Sequence, residues 1–375
     1  MATRSFTAFL AVAALFGLNA VIHYREVRRL EGRLAGLRDL GRLLAAARRL
    51  AGVPHAAVAG VVPQFSRIVA ETRPLARKIA LLPPAPAGPS GDLVSLILDY
   101  FNIFTLHQIH VFHASIQDLR RHQADLQELF WTVGEFDACQ AAASFRDGVH
   151  AYAEPEIADD GPTLEIEDAR HPLLEDPVPN SLALAVPGIA ITGSNMSGKT
   201  TFLRTLALNV LLAQSLATCL ASAYRGRTLR IACSMNTGDD LLAGKSYYLV
   251  EAERLLRVVQ QCEGPDLVLA LIDEPLAGTN SPERHAASRE ILHYLAAHRG
   301  RVVLSTHDVE LVAQLQQEGD FKAYHFTDSA DAQGIHFDYR LKPGLNYRAN
   351  AIAVLRYLGY PQAILARASL EAPSA

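Results

Sequence analysis

Ile191-Thr192-Gly193-Ser194-Asn195-Met196-Ser197-Gly198-Lys199-Thr200-Thr201 is the stretch on which the reading of this chain turns. An apolar run enters a loop bounded by glycines, and the loop ends in Lys-Thr where a helix is predicted from about Thr201 to Leu216. Gly193 and Gly198 admit backbone angles and close approaches that a side chain forbids, so the N–H groups of Ser194, Asn195, Met196 and Ser197 can turn inward on an anion. Lys199 then supplies a mobile positive charge for β- and γ-phosphates, and the Thr200 hydroxyl is placed to ligate Mg²⁺. The N-terminal dipole of the following helix points at the same anion. An ordinary Gly-rich turn shares this composition, but it lacks a strand before and a helix after. The spacing predicts a nucleotide site.

Leu267-Val268-Leu269-Ala270-Leu271-Ile272 has the length and composition of a buried parallel strand and terminates in Asp273-Glu274. At such a strand end Asp273 can hold Mg²⁺, and Glu274 can polarise a water that attacks the γ-phosphate. Arg301 to Thr306 forms a third run and ends in His307-Asp308, which puts a histidine within reach of the same phosphate. Strand, loop and helix, then an acid-tipped strand and a His-tipped strand, is the order of an α/β fold whose ligands sit at the carboxyl ends of parallel strands.

Upstream the composition changes. Phe6 to Ile22 is apolar except for Thr7, Gly17 and Asn19, and is followed by Arg25, Arg28 and Arg29. That is the makeup of a short membrane anchor with its carboxyl side in the cytoplasm, and a buried core helix shares it. Val27, Leu30, Leu34, Leu37 and Leu44 recur at helical spacing, with Gly41 filling the gap, and predict an amphipathic seam. Eight arginines between Arg25 and Arg49 suit either a solvated face or phosphates of lipid or nucleic acid. The Leu82 to Pro89 stretch, rich in proline, reads as a linker, and Leu93 to about Ala143 reads as helical. His107, His110 and His113 in that stretch drift around the helix, so they fit a polar face better than a zinc site. Cys139, Cys219, Cys233 and Cys262 show no paired spacing and read as reduced thiols. At 375 residues and net charge -4, the chain has room for two or three domains and no overall basic field that would draw it to DNA. Three regions result: residues 1–24, 25–150 and 151–375.

From about Asp168 to Ala368 the chain resembles the MutS family of ABC-type ATPases. Six blocks carry the likeness: Ala169-Arg170-His171-Pro172 with Asn180; the Gly193 to Thr201 loop containing Asn195-Met196; Asp239-Asp240-Leu241 through Gly244-Lys245-Ser246 to Glu251; Asp273-Glu274 followed by Gly278-Thr279-Asn280-Ser281; Ser305-Thr306-His307-Asp308; and Gly344 to Ala368. The resemblance implies a P-loop ATPase domain preceded by lever-like helices and dimerised around two ATP·Mg²⁺, with Ser246 reaching the partner's nucleotide. It also implies DNA as a partner, in mismatch repair or damage sensing. The chain departs from the family pattern in three places. Pro177-Val178-Pro179 stands where an adenine-stacking aromatic is usual, Thr200-Thr201 replaces Ser-Thr, and Pro275 follows the acidic pair. No Phe-x-Glu mismatch wedge occurs in the chain. The expectation is a cytoplasmic ATPase, tethered to the inner membrane face if Phe6 to Ile22 inserts. The rivals are a membrane-associated mechanical ATPase with no DNA role and a scaffold that binds ATP without hydrolysing it.

Overall fold

The computed structural model describes residues 2–52, 62–82, 93–194, 196–235, 247–277, 281–331, 334–346, 355–356 and 359–371. The chain forms two compact units, Met1–Ala141 and Ala142–Ala375.

The first unit is helical: α1 (Ala2–Ala51), α2 (Val62–Glu71), α3 (Arg73–Ile79), α4 (Leu93–Thr105), α5 (His107–Arg121) and α6 (Gln123–Gly148), the last running on into the second unit. Leu30, Leu34, Leu37 and Leu44 of the α1 seam are buried against Phe65, Ile68, Leu75, Ile79, Val111 and Phe112. Gly41 interrupts the leucines because a Cβ there would lie 2.8 Å from Ile79 Cγ2, so α3 needs the space. α1 passes unbroken through the Tyr24-Arg25 junction, where the sequence suggested a division. The helical stretch expected from Leu93 forms three helices, the first break coming at Leu106, whose left-handed backbone (φ 52°) separates α4 from α5. His107 Nε2 lies 3.0 Å from Leu81 O. The three histidines do not converge: among the described residues, only Glu71, His122 and Asp125 bring three candidate metal-ligand atoms together, all within 4.8 Å. All four cysteines are free thiols.

The second unit is α/β with two main sheets. Strands β1 (Glu156–Ile157), β2 (Leu164–Ala169), β3 (Asn180–Ala183), β4 (Gly188–Thr192), β5 (Ala223–Gly226) and β6 (Arg230–Ser234) precede β7 (Val268–Asp273), β8 (Gly300–Ser305), β9 (Phe321–His325), the hairpin β10 (Asp328–Asp331) and β11 (Gly334–Phe337), and β12 (Lys342–Pro343). Helices α7 (Lys199–Leu216), α8 (Tyr247–Cys262), α9 (Ser281–Ala297), α10 (Val309–Gln317) and a last helix, Gln362–Glu371, are interspersed. The larger sheet has the order β12-β9-β4-β8-β7-β6, parallel except for β12. The smaller has the order β1-β5-β2-β3.

Continuous apolar runs make the central strands because both faces of the large sheet are covered. Ile189, Ile191, Leu269, Leu271 and Val303 face a core containing Phe202, Leu203 and Leu206 of α7. Ala190, Val268, Ala270, Ile272, Val302 and Leu304 face the other core, with Leu255 of α8, Leu292 of α9 and Leu311 of α10. Burying each large aliphatic side chain contributes about 1.5–3 kcal/mol. Since β4, β8 and β7 are adjacent, the segments leaving their carboxyl ends emerge side by side, and they are the three that carry the predicted chemistry.

Candidate functional site

The loop between β4 and α7 has the backbone its glycines predict. Gly193 adopts φ +151° and Gly198 φ +103°, and a Cβ on Gly193 would lie 2.8 Å from Ser197 Oγ. Met196 also adopts a left-handed backbone (φ 71°) and projects outward, 83 % exposed. Lys199 opens α7, two residues earlier than the helix predicted at Thr201, and is buried at 6 % exposure. Its Nζ donates to Gly193 O at 2.8 Å and Ser194 O at 3.0 Å, and lies 3.9 Å from Glu274 Oε1. Burial lowers the lysine's pKa, while Glu274 and Asp273 oppose that shift.

Asp273 ends β7 with both carboxylate oxygens engaged. Oδ1 accepts from Ser305 Oγ at 2.6 Å and Oδ2 from Thr200 Oγ1 at 2.7 Å. Two oxygen ligands suited to a hard divalent cation therefore stand in contact. Glu274, in a left-handed conformation (φ 49°), is held from the β8 side. Its N–H donates to Ser305 O at 2.8 Å, and its Oε2 accepts from His307 Nδ1 at 2.8 Å and more weakly from Thr306 Oγ1 and His307 N, both at 3.3 Å. Asp308, next in the chain, caps α10 by accepting from Leu311 N at 3.0 Å, and a cap of this kind is worth about 1 kcal/mol. Asp308 also meets His285 Nδ1 at 3.1 Å, so the turn carrying His307 is fixed from two sides.

Lys199, Thr200, Asp273 and Glu274 line one cleft of about 460 Å³ with Ser194, Met196, Gly198 and Thr201. His307 reaches the cleft through Glu274. Within the loop the buried hydroxyls of Ser194 and Ser197 have no hydrogen-bond partner among the described residues, and neither does Glu274 Oε1. Buried polar atoms of this kind normally have partners, and here they lie beside a buried lysine. The site fits an oxygen-rich anion together with a divalent cation. Asn195, Ser246 with the rest of Asp239 to Ser246, and Gly278-Thr279-Asn280 lie outside the described residues. Glu251 is placed. Buried on α8, it accepts from Ala277 N at 3.2 Å and so ties that helix to the turn after β7.

Tyr339 is among the lining residues that escaped the sequence reading. Tyr339 forms a wall of the cleft, its Cδ1 3.2 Å from where a Cβ on Gly198 would stand. Asn180 holds it there, donating to Tyr339 O at 2.9 Å and accepting from Leu341 N at 2.7 Å. The Phe337 ring stacks on it with centroids 5.8 Å apart. Pro177 and Val178 line the same cleft. The signal in the sequence was the aromatic pair Phe337 and Tyr339 at the end of β11, and nothing local tied it to the loop.

A family model described as MutS domain V matches residues 189–373, which hold every element of this cleft from β4 onward. Among curated proteins, the DNA mismatch repair protein MutS of Natronomonas pharaonis is 30% identical over 252 residues, covering 65% of this chain and 29% of the relative. That of Thermus aquaticus is 31% identical over 262 residues, covering 68% and 31%. That of Thermus thermophilus is 32% identical over 266 residues, covering 69% and 31%. The chain thus spans about 30% of the length of these relatives. With the matched region falling on the loop, the acid pair and the histidine turn together, the chain belongs to the MutS family.

Proposed function

We propose that this chain binds and hydrolyses ATP with Mg²⁺, and that two copies close around two nucleotides to act on DNA. The convergence of Lys199, Thr200, Asp273, Glu274 and His307 at three adjacent strand ends carries this reading. Lys199 would exchange its two loop carbonyls for phosphate oxygens, and the unpartnered Ser194 and Ser197 hydroxyls would gain acceptors. Thr200 and Asp273 would hold the magnesium, which neutralises charge on the phosphates when bound. Glu274, steered by His307 and Thr306, orients and deprotonates the attacking water. Ser246 completes the second copy's site in trans. DNA enters through family membership: the relatives are named for mismatch repair, and duplex DNA is the partner proposed.

Sedimentation tests this reading. Magnesium and ATP should shift the chain from monomer to dimer and increase its affinity for duplex DNA. That affinity should fall roughly in proportion to a power of salt concentration, as phosphate contacts require. Dimerisation without any DNA affinity between 50 and about 200 mM salt would leave the ATPase and remove the DNA role.

Tyr339 would take the place of the missing aromatic before Asn180 and offer its ring to the adenine, in a cleft that Pro177 and Val178 also line. Tyr339→Ala should weaken ATP binding by about tenfold, the scale of one aromatic stacking contact, while Tyr339→Phe stays near wild type. Fluorescent-nucleotide titration measures both. An equal loss of ATP and inorganic triphosphate affinity in the alanine variant would place Tyr339 away from the base.

A second reading concerns location. α1 holds the one described helix long and apolar enough to cross a membrane, and none of its most apolar stretch is buried. Phe6 to Ile22 is therefore read as a membrane anchor, and that reading leaves the ATP chemistry unchanged.

A further inference from the structure

His285 has no part in the chemistry proposed above, yet it is wired to it. From α9 its ring reaches across to α10, with Nδ1 3.1 Å from Asp308 Oδ2 and Nε2 3.0 Å from Gln314 Oε1. Asp308 is committed on its other sides: Oδ1 accepts from Leu311 N at 3.0 Å, and its own N–H donates to Thr306 Oγ1 at 3.1 Å. Thr306 Oγ1 and His307 Nδ1 in turn lie 3.3 and 2.8 Å from Glu274 Oε2. A continuous line of hydrogen bonds therefore joins Gln314, His285 and Asp308 to the carboxylate of Glu274. Glu274, Thr306, His307, Asp308 and His285 also line one small cavity, so the line runs through packed side chains. The side chains of His285 and Asp308 are 22% and 18% exposed, too enclosed for solvent to screen the pair as it screens a surface ion pair.

We propose that His285 is a positioning residue for Glu274, acting through the 306–308 turn, and that the proton on its ring regulates the rate of ATP hydrolysis; the proposal rests on the ATPase reading above. The geometry selects a charged ring. The Asp308 carboxylate accepts, so Nδ1 carries a proton, and Gln314 turns its amide oxygen to Nε2, which calls for a second. Around the ring stand Asp308 and Glu310 from α10, Arg284 from its own helix, and Glu274 and His307 from the two strand ends, while Arg289, one turn further along α9, is drawn to Glu290 and Glu318. The hydrogen bond to Gln314 is the largest influence raising the pKa of His285, the bond and charge of Asp308 and the charge of Glu310 add to it, and partial burial opposes them. As an imidazolium the ring draws Asp308 toward α9, and the turn then keeps Thr306 and His307 on Oε2. Loss of the Nε2 proton leaves only a neutral donor on Asp308, and a charge-assisted bond is about twice as strong as a neutral one. Glu274 is then aimed at the water for a smaller share of the time. Turnover therefore falls as pH rises through the pKa of His285. Affinity does not follow it, because His285 stands outside the lining of the nucleotide cleft.

His285→Leu in the full chain tests this. The substitution removes both polar tips and leaves the bond from Leu311 N to Asp308 in place. The ratio of wild-type to variant kcat is followed from pH about 6 to about 9, and the titrations of Glu274 and His307, common to both proteins, largely divide out of it. The expected ratio is about ten at the acid end and no more than about three at the alkaline end, with ATP affinity within about threefold throughout. A ratio that stays flat with pH overturns the proposal, since a merely structural contact has no proton to lose. A loss that falls on affinity and not on kcat overturns it as well. Should the leucine variant fail to fold, Gln314→Leu takes away the second acceptor and should move the alkaline fall of kcat to lower pH; an unmoved profile overturns the proposal. A wild-type chain that binds ATP without turning it over overturns the ATPase reading and this inference with it, whereas turnover with a flat ratio removes this inference alone.

Discussion

Glu274→Gln should lower the ATP turnover rate by about 10²–10⁴-fold, the usual contribution of a positioned general base, while leaving ATP binding within about threefold of wild type. The substitution keeps the shape of the side chain and an oxygen that can still accept from His307 Nδ1 and Thr306 Oγ1. It removes the charge that lies 3.9 Å from Lys199 and the basicity needed to take a proton from water. The free-energy equivalent is about 3–5 kcal/mol of barrier, lost in kcat and not in KM, because the carboxylate acts on the water and does not hold the nucleotide. Steady-state turnover with a parallel binding titration separates the two effects. Nucleotide-promoted dimerisation should persist in the variant and last longer, since on the proposed reading hydrolysis is what reopens the dimer. If the wild type turns over no faster than Glu274→Gln, the chain is an ATP-operated scaffold and the enzyme reading fails.

His307 belongs to the same test through its geometry. Its Nδ1 contacts the carboxylate Oε2, so on the proposed reading it would act on turnover by aiming Glu274. His285 bridges Gln314 and Asp308, the residue after His307, and the hydrogen bonds to Gln314 and Asp308 raise its pKa. A histidine whose folded pKa is raised stabilises the fold at pH values below its unfolded pKa, and that stability is lost as pH rises through the folded value. The α10 cap is thus best braced on the acid side of neutrality.

The strands that carry the chemistry were legible because a strand buried on both faces must be an unbroken apolar run, and acids or a histidine at its end have nowhere to go but the sheet edge. β7 and β8 came out one residue away from the predicted runs, and α7 begins at Lys199 because the loop glycines end where the helix dipole starts. The spatial order β4-β8-β7 was not legible from local pattern, since it depends on pairings between segments 30 to about 110 residues apart, which periodicity does not encode. Tyr339 is the clearest case. Its place in the cleft is set by Asn180, 159 residues away, and by a positive-φ turn (φ 51°) that no glycine announces. On the helical side the Leu30 to Leu44 seam was readable as an amphipathic stripe. The exposure of Leu96, Ile97 and Phe101 on α4 was not, because an apolar helix looks the same in sequence whatever covers it.

Lys199→Ala should weaken ATP binding by about 100-fold, near 2.7 kcal/mol, and abolish turnover at ordinary nucleotide concentrations. The loss combines the charge-assisted bonds to phosphate with the exposure of Asp273 and Glu274 to each other without their cation. Because burial already lowers the lysine's pKa, wild-type affinity should fall at less alkaline pH than an exposed lysine would allow: as pH rises, the amine loses its proton and the phosphates lose their partner. The same variant also decides whether the site is shared between copies. A chain carrying Lys199→Ala keeps Ser246, and a chain carrying Ser246→Ala keeps Lys199, so neither homodimer has an intact site. If Ser246 serves the partner's nucleotide, mixing the two inactive chains builds heterodimers with one whole site out of two. About a quarter of wild-type turnover should then return at equal proportions, from the statistics of a two-fold assembly. If Ser246 serves its own chain's nucleotide, every site in the mixture lacks one of the two residues and no activity returns. Recovery on mixing therefore requires the shared site, and silence on mixing removes it whatever either variant does alone.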